Sequence, residues 1–298
     1  MMFRICSSLQ RSASTAVKEA KRFYSDGAKL VTVTTDDKTG VSTLSLNRPP
    51  VNGLNLDLLQ SISTALTTLE KSKCRGMILT SDNPSVFSAG LDILEMYKPD
   101  PTRVKDFWTT LQDTWIKLYT TSFPTVAVIN GHSPAGGCLL ALSCEYRIIV
   151  GPKNTIGLNE TKLGIIAPRW FQDSMRNVIG ERQAELALTT GKMFTADEAL
   201  KVNLVDEVVA SKDEATGRAI AFLSQFAKIT STTKKNDKTG VSRGNRQLAP
   251  QQQGERFADF PQLHQPAQSP GGTWNVLRIS EEEVGQVNNF NLKNIVLS

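Results

Sequence analysis

The stretch from residue 126 to residue 168 limits the possible folds of this chain more than any other. Residues 126–129 (Val-Ala-Val-Ile) form an unbroken apolar run that predicts a buried strand. Asn130-Gly131 ends it, and Pro134-Ala135-Gly136-Gly137 is a tight turn almost free of side chains. Residues 138–143 then read as an apolar helix. A glycine turn that opens a helix presents main-chain N–H groups at the positive end of the helix dipole. Such a turn can hold a phosphate, or the oxyanion of a carbonyl that becomes an enolate. Downstream, Glu160 sits in a short loop between apolar residues, where a carboxylate can act as a general base.

Phe87-Ser88-Ala89-Gly90-Leu91-Asp92 is a second turn of small residues. Two main-chain donors converging on one carbonyl oxygen would stabilise an enolate, by ~2.7–4 kcal/mol for one donor in a dry site. A carboxylate at the α-carbon would complete an enolisation site. Spacing alone does not bring the two turns together. Taken singly, either turn reads most simply as a connection, and Glu160 as a helix cap or surface acid.

The rest of the chain alternates strands and helices. Residues 30–35 and 41–47 predict two strands around an Asp-Asp-Lys-Thr-Gly turn, and Arg48-Pro49-Pro50 stops the second. Asn55 is a candidate N-cap for a helix through Lys71, with Leu58, Leu59, Ile62, Ala65, Leu66 and Leu69 on one face. Strands are predicted at residues 75–81, 146–150 and 204–209. Helices are predicted at residues 106–119, 170–178, 181–189 and 195–201, with a last one running to Phe226. This order predicts an α/β architecture with largely parallel pairing, and two strands followed by a helix suggests a ββα spiral. Periodicity does not separate that spiral from a doubly wound sheet.

Composition matters mainly for what it removes. The formal charge of +5 suggests a nucleic-acid partner, but residues 1–24 hold Arg4, Arg11, Lys18, Lys21 and Arg22 against one acid, Glu19. That segment carries +4, which leaves +1 for the remainder and takes away the basis for a nucleic-acid reading. Residues 1–24 are also Ser-rich, as a mitochondrial presequence is, and Arg22-Phe23-Tyr24-Ser25 fits a matrix-protease cut after Tyr24; a plain basic arm is the alternative. No apolar run is long enough to cross a bilayer. Cys6, Cys74, Cys138 and Cys144 form no CxxC pair and read as buried free thiols, and two histidines, His132 and His264, are too few for a metal cluster. His132, beside the glycine turn, is either a ligand-orienting group or a surface loop residue.

Five blocks occur in order. They are Leu46-Asn47-Arg48-Pro49-Pro50-Val51-Asn52, residues 87–92, Ile129-Asn130-Gly131, Pro134 to Cys138, and Gly157-Leu158-Asn159-Glu160-Thr161 with Leu163-Gly164-Ile165-Ile166-Ala167-Pro168. On these blocks residues 28–230 resemble the enoyl-CoA hydratase/isomerase (crotonase) superfamily, and within it the mitochondrial isomerase branch. The resemblance implies a crotonase-like ββα spiral core at residues 25–230, a homotrimer in the mitochondrial matrix, and a fatty enoyl-CoA thioester as substrate. It implies oxyanion-hole N–H groups at Leu91 and Gly136, a thioester lined by Ala89, Gly90, Leu91, Asp92 and Ile93, Asn159 beside the acyl chain, and Glu160 as the base. The implied chemistry needs neither a metal nor a redox cofactor, and coenzyme A belongs to the substrate. Hydratases of the family place a second glutamate just after the Gly-Gly-Cys; here that position is Leu139. One acid suits a proton shuttle and not the addition of water. The other readings are a weak hydratase or thioesterase, or a non-catalytic acyl-CoA binder with defective assembly.

The resemblance breaks at the end of the chain. Family members close the site and build the trimer with C-terminal helices, whereas residues 231–275 are rich in Gln, Pro, Gly, Asn and Ser and read as a disordered tail. Shifting the degenerate codons by one nucleotide from about Lys234 permits amphipathic, family-like text such as KMTKQEL. Residues 231–298 are therefore an atypical tail, read from about Lys234 as a frame-shifted version of the family's C-terminal helices, through gene-model error, alternative splicing or mutation.

Overall fold

The computed structural model describes residues 29–72, 74–97 and 100–229. The proposed presequence and the atypical tail lie outside the described residues.

Nine strands and seven helices follow in order among the described residues: β1 (Val31–Thr35), β2 (Val41–Leu46), α1 (Leu56–Lys71), β3 (Gly76–Ser81), α2 (Pro101–Tyr119), β4 (Thr125–Ile129), β5 (Ser133–Pro134), α3 (Gly136–Leu142), β6 (Tyr146–Val150), β7 (Thr155–Gly157), α4 (Arg169–Ile179), α5 (Glu181–Thr190), β8 (Phe194–Thr195), α6 (Ala196–Lys201), β9 (Glu207–Val209) and α7 (Lys212–Ser224). A six-stranded sheet has the order β1-β2-β3-β4-β6-β9, and a small sheet has the order β5-β7-β8. Only β1 runs antiparallel in the large sheet; the other pairings there are parallel. From β4 onward the chain lays one strand in each sheet in turn: β4 then β5, β6 then β7, β8 then β9. This is the ββα winding expected, and it excludes a doubly wound sheet.

The parallel strands β2, β3, β4 and β6 are largely buried on both faces, as parallel strands must be, whereas the antiparallel edge strand β1 is half-buried to exposed. Met77, Leu79, Ala127, Ile129 and Ile149 join the main core under α1, α2, α3 and α4. Their alternate neighbours Ile78, Val126, Val128 and Ile148 face a smaller core sealed by Ala215, Ala219 and Leu223 of α7. Asn55 caps α1 as expected, its side chain accepting from the Leu58 N–H.

Some boundaries differ from expectation. Helix α2 starts at Pro101 and not at residue 106, because Asp100 accepts from the Arg103 N–H and Pro101 sits where its missing N–H costs nothing. Helix α3 starts two residues early, at Gly136. Strand β9 begins at Glu207 and not at residue 204, since Leu204 is bonded back to Ala199 O at the end of α6. Strands β5, β7 and β8, only two or three residues each, carry no periodic signal of their own.

The topology positions the loops. Strands β2, β3 and β4 are neighbours in parallel register, with Leu46 opposite Ser81 and Leu79 opposite Ala127. The segments that follow them, residues 47–55, 82–92 and 130–135, therefore leave the same carboxyl edge of the sheet side by side. In open parallel sheets ligands bind at that edge.

Candidate active site

The two glycine turns meet. A Cβ on Gly136 would lie 3.3 Å from the Leu91 nitrogen, and one on Gly90 would lie 3.1 Å from the Gly136 nitrogen. These separations are tighter than a Cβ normally makes, so the two backbones lie directly against each other at the glycines. The loops are also stitched directly: His132 O accepts from the Phe87 N–H at 3.0 Å, and the His132 N–H donates to Ser85 O at 2.9 Å.

The direction of each donor follows from its neighbours. Leu54 forms an isolated parallel bridge with Leu91, in which the Leu54 N–H donates to Gly90 O at 2.8 Å and the Asp92 N–H donates to Leu54 O at 3.0 Å. A residue bridged on one side through its two neighbours turns its own N–H to the other side. The Leu91 N–H thus faces away from Leu54, on the side of Gly136. Gly136 is the first residue of α3, so its N–H has no intrahelical acceptor. Ala135 before it has φ 49° and ψ −118° and offers no capping side chain. That backbone is strained for a residue with a Cβ, by ~1–3 kcal/mol. The Ala135 N–H is bonded to Gly157 O at 2.8 Å, which helps hold it there.

The small sheet brings the segment that leads to Glu160 alongside the glycine turn. Strand β5 pairs with β7, Pro134 opposite Gly157, so the residues after Gly157 run beside the Pro134–Gly136 turn. A Cβ on Gly157 would fall 2.2 Å from Lys192 O, which fixes how closely this segment lies on the chain after α5. The Thr161 hydroxyl donates to Leu188 O at 2.6 Å and bolts the next residue to α5. Glu160 is only 8% exposed, and its carboxyl oxygens find no hydrogen-bond donor other than a weak approach of the residue's own main-chain N–H. It is neither the helix cap nor the surface acid that the residue alone suggests. Burial pushes its pKa up to about 7. Burial, and secondarily the Glu160 charge, push the Cys138 thiol up, which places the carboxylate within electrostatic reach of the first turn of α3. Asn159 is buried beside it, with its Oδ1 also unpartnered. Unpaired buried polar atoms are costly, and here three of them share two adjacent residues.

The remaining residues sort plainly. Ala89, Leu91, Asp92 and Ile93 are half-buried along the same loop and Gly90 is buried. The Asp92 carboxylate is taken up by Arg48 at 2.8 Å and by the Leu94 N–H at 3.1 Å, and its main-chain N–H and C=O are bonded to Leu54 O and the Glu95 N–H, so its polar groups are committed to holding the loop. Leu139 is fully buried in the main core. His132 is half-buried and not a surface residue. Its Nδ1 accepts from the Thr155 N–H at 3.2 Å and lies 3.0 Å from the Thr155 hydroxyl, which braces β7. Cys138 and Cys144 are buried free thiols, and Cys74 is half-buried. Among the described residues no cluster of His, Cys, Asp and Glu could hold a metal, and no helix is long and apolar enough to cross a membrane.

A model of the enoyl-CoA hydratase/isomerase family matches residues 36–267, well over half of the chain. The chain belongs to that family. It is 48% identical over 216 residues to mouse mitochondrial enoyl-CoA delta isomerase 1, covering 72% of this chain and 73% of the relative. It is 45% identical over 212 residues to the human protein of the same description, covering 70% and 69%. Among solved structures, human mitochondrial Δ3-Δ2-enoyl-CoA isomerase superposes with a TM-score of 0.73 at 36% identity, over 90% of this chain and 96% of that one. The fold is therefore the crotonase fold of this family.

Two groups escaped the sequence reading. Arg48 entered the sequence reading as a strand stop and as part of a resemblance block, without a role of its own, yet its side chain is buried and bonded. Ala135 carries no sequence sign of its strained backbone, which depends on β5 pairing with β7.

Proposed function

We propose that this protein is an isomerase that moves the double bond of a 3-enoyl-CoA to give the trans-2-enoyl-CoA. The observation that carries the reading is one buried carboxylate with its pKa pushed up to about 7, on a segment paired alongside the glycine turn where two main-chain donors come together. The α-proton of a 3-enoyl thioester is acidified by both the thioester carbonyl and the double bond. Ionised Glu160 takes that proton from C2. The electron pair moves onto the thioester oxygen, which the Leu91 and Gly136 N–H groups stabilise as a dienolate. The same carboxyl returns the proton at C4, the double bond forms between C2 and C3, and Glu160 is ionised again. No net atoms or electrons are exchanged, so the step needs no cofactor.

A pKa near neutrality suits a group that must both take and return one proton. Burial supplies it here, and a second acid is absent where Leu139 stands in the core. Both relatives named above are described as delta isomerases, which supports the same reading. Their mitochondrial description, together with the basic Ser-rich residues 1–24, supports a matrix location with cleavage after Tyr24. A homotrimer is the assembly that the family resemblance implies.

The test is turnover of trans-3-hexenoyl-CoA by the purified chain, followed as the conjugated 2-enoyl chromophore appears. Loss of that chromophore from added 2-enoyl-CoA would instead indicate hydration. Glu160→Gln is expected to lower turnover by ~10²–10⁴-fold while leaving CoA-ester affinity nearly unchanged. Retained turnover would show that another group is the base.

A further inference from the structure

The loop that carries Leu91 is gripped from behind by a buried guanidinium. Arg48 Nη1 donates to Gly53 O at 2.6 Å and Nη2 donates to Asp92 Oδ2 at 2.8 Å. The two side chains are 5% and 14% exposed. Gly53 immediately precedes Leu54, and Asp92 immediately follows Leu91. The planar fork therefore spans the two segments whose pairing aims the Leu91 N–H. A Cβ on Gly53 would lie 3.0 Å from Nη1, so the guanidinium fits against the loop backbone itself. The other Asp92 oxygen accepts from the Leu94 N–H, which sets the exit of the loop. Beyond it, Glu95 accepts from the Leu56 N–H at 3.0 Å and from Arg103 at 2.7 and 2.8 Å, tying the same segment to α1 and α2.

We propose that Arg48 and Asp92 are positioning residues: their ion pair locks residues 53–54 against 90–92 and so sets the direction of the Leu91 donor, without touching substrate. Two donors must point at where charge develops, and small misplacements of such groups are costly in rate. Arginine is required because one rigid fork satisfies two acceptors on two segments, which a lysine ammonium on a flexible stem does with no fixed angle. A pair that only stabilised the fold would leave the polarisation of a bound carbonyl unchanged once the variant had folded.

The inference rests on the isomerase reading, and the experiment separates the two. The full chain, Glu160→Gln, Arg48→Lys and Asp92→Asn are compared for turnover of trans-3-hexenoyl-CoA. Each is also loaded with hexanoyl-CoA labelled at the thioester carbonyl, and the carbonyl stretch is read by difference infrared spectroscopy. Circular dichroism establishes folding. Arg48→Lys is expected to lower kcat ~10–100-fold with KM changed by less than about threefold, and to move the carbonyl stretch back toward its value in water. Asp92→Asn keeps an acceptor for Arg48 and is expected to show the same changes in smaller measure. A folded Arg48→Lys with the wild-type stretch overturns the proposal, whatever its kcat. Should Arg48→Lys not fold, a wild-type stretch in Asp92→Asn overturns it equally. A wild-type chain that binds hexanoyl-CoA but leaves 3-hexenoyl-CoA unconverted overturns the isomerase reading itself, and the positioning role with it.

Discussion

Glu160 is the residue whose chemistry differs most from its type. A carboxylate at 8% exposure, with no donor beyond its own main-chain N–H, is held where its charged form is poorly solvated. Its pKa of about 7 lies above the ordinary value of 4.5, so the folded chain binds the proton more tightly than the unfolded chain does. Activity and stability then move in opposite directions with pH. The ionised form is the base, so kcat/KM for a 3-enoyl-CoA is expected to rise through an apparent pKa near 7, read from a pH–rate profile. The stability contribution is fully present below about pH 4.5 and is lost as pH climbs to about 7, a difference of roughly 3 kcal/mol. Glu160→Gln removes the charge, so at pH 8 it is expected to raise the urea midpoint while turnover is lost. A midpoint that falls would show that the carboxylate is satisfied and not strained. The sequence placed Glu160 in a loop between apolar residues, but a loop acid is exposed by default. Its burial depends on β7 pairing with β5 and on Thr161 bonding to α5.

Among the elements, the loops after β2, β3 and β4 do the positioning. They converge because three parallel neighbours end at one edge, and they stay together because Gly131 lets Val86 approach. A Cβ on Gly131 would meet the Val86 nitrogen at 2.3 Å, which is backbone and cannot swing aside. Gly131→Ala is therefore expected to cost ~1–3 kcal/mol in urea unfolding and to lower kcat as the turns separate. Gly217 is the matched contrast: it is exposed inside α7, and a Cβ there meets nothing within 4 Å. Gly217→Ala is expected to stabilise by ~0.5–1 kcal/mol with kcat unchanged. Asn-Gly and Gly-Gly marked the turns in the sequence. The partner that makes each glycine obligatory lies some 45 residues away in Gly131's case, as the numbers 86 and 131 show, and no local signal carries that information.

At the scale of the molecule, one sheet is covered by two unequal cores. The larger holds the site. The smaller depends on a single helix, α7, with Leu223 packed over Gly76 and the faces of β3, β4 and β6. Leu223→Ala is expected to cost ~2–5 kcal/mol by chemical unfolding while sparing the geometry of Glu160, because it lies on the opposite sheet face. Beyond α7, the out-of-frame reading of the tail makes its own prediction. Sequencing the transcript across codon 234 is expected to reveal a one-nucleotide shift, and an intact frame removes the idea. With the shift confirmed, gel filtration of the full chain is expected to show a species smaller than the trimer the family implies.

What the sequence determined by itself was the succession of the longer strands and helices, the buried strands, the Asn55 cap and the residue types of the site, but not the short strands β5, β7 and β8. Each of these depends on neighbours within a few positions, where periodicity, capping and turn chemistry operate. What only the tertiary structure decided was the meeting of the turns at residues 90–91 and 135–136, the burial of Glu160 on the segment paired beside them, and the bond between Arg48 and Asp92. Those follow from parallel strand register and from burial, and both are properties of segments brought together across the fold.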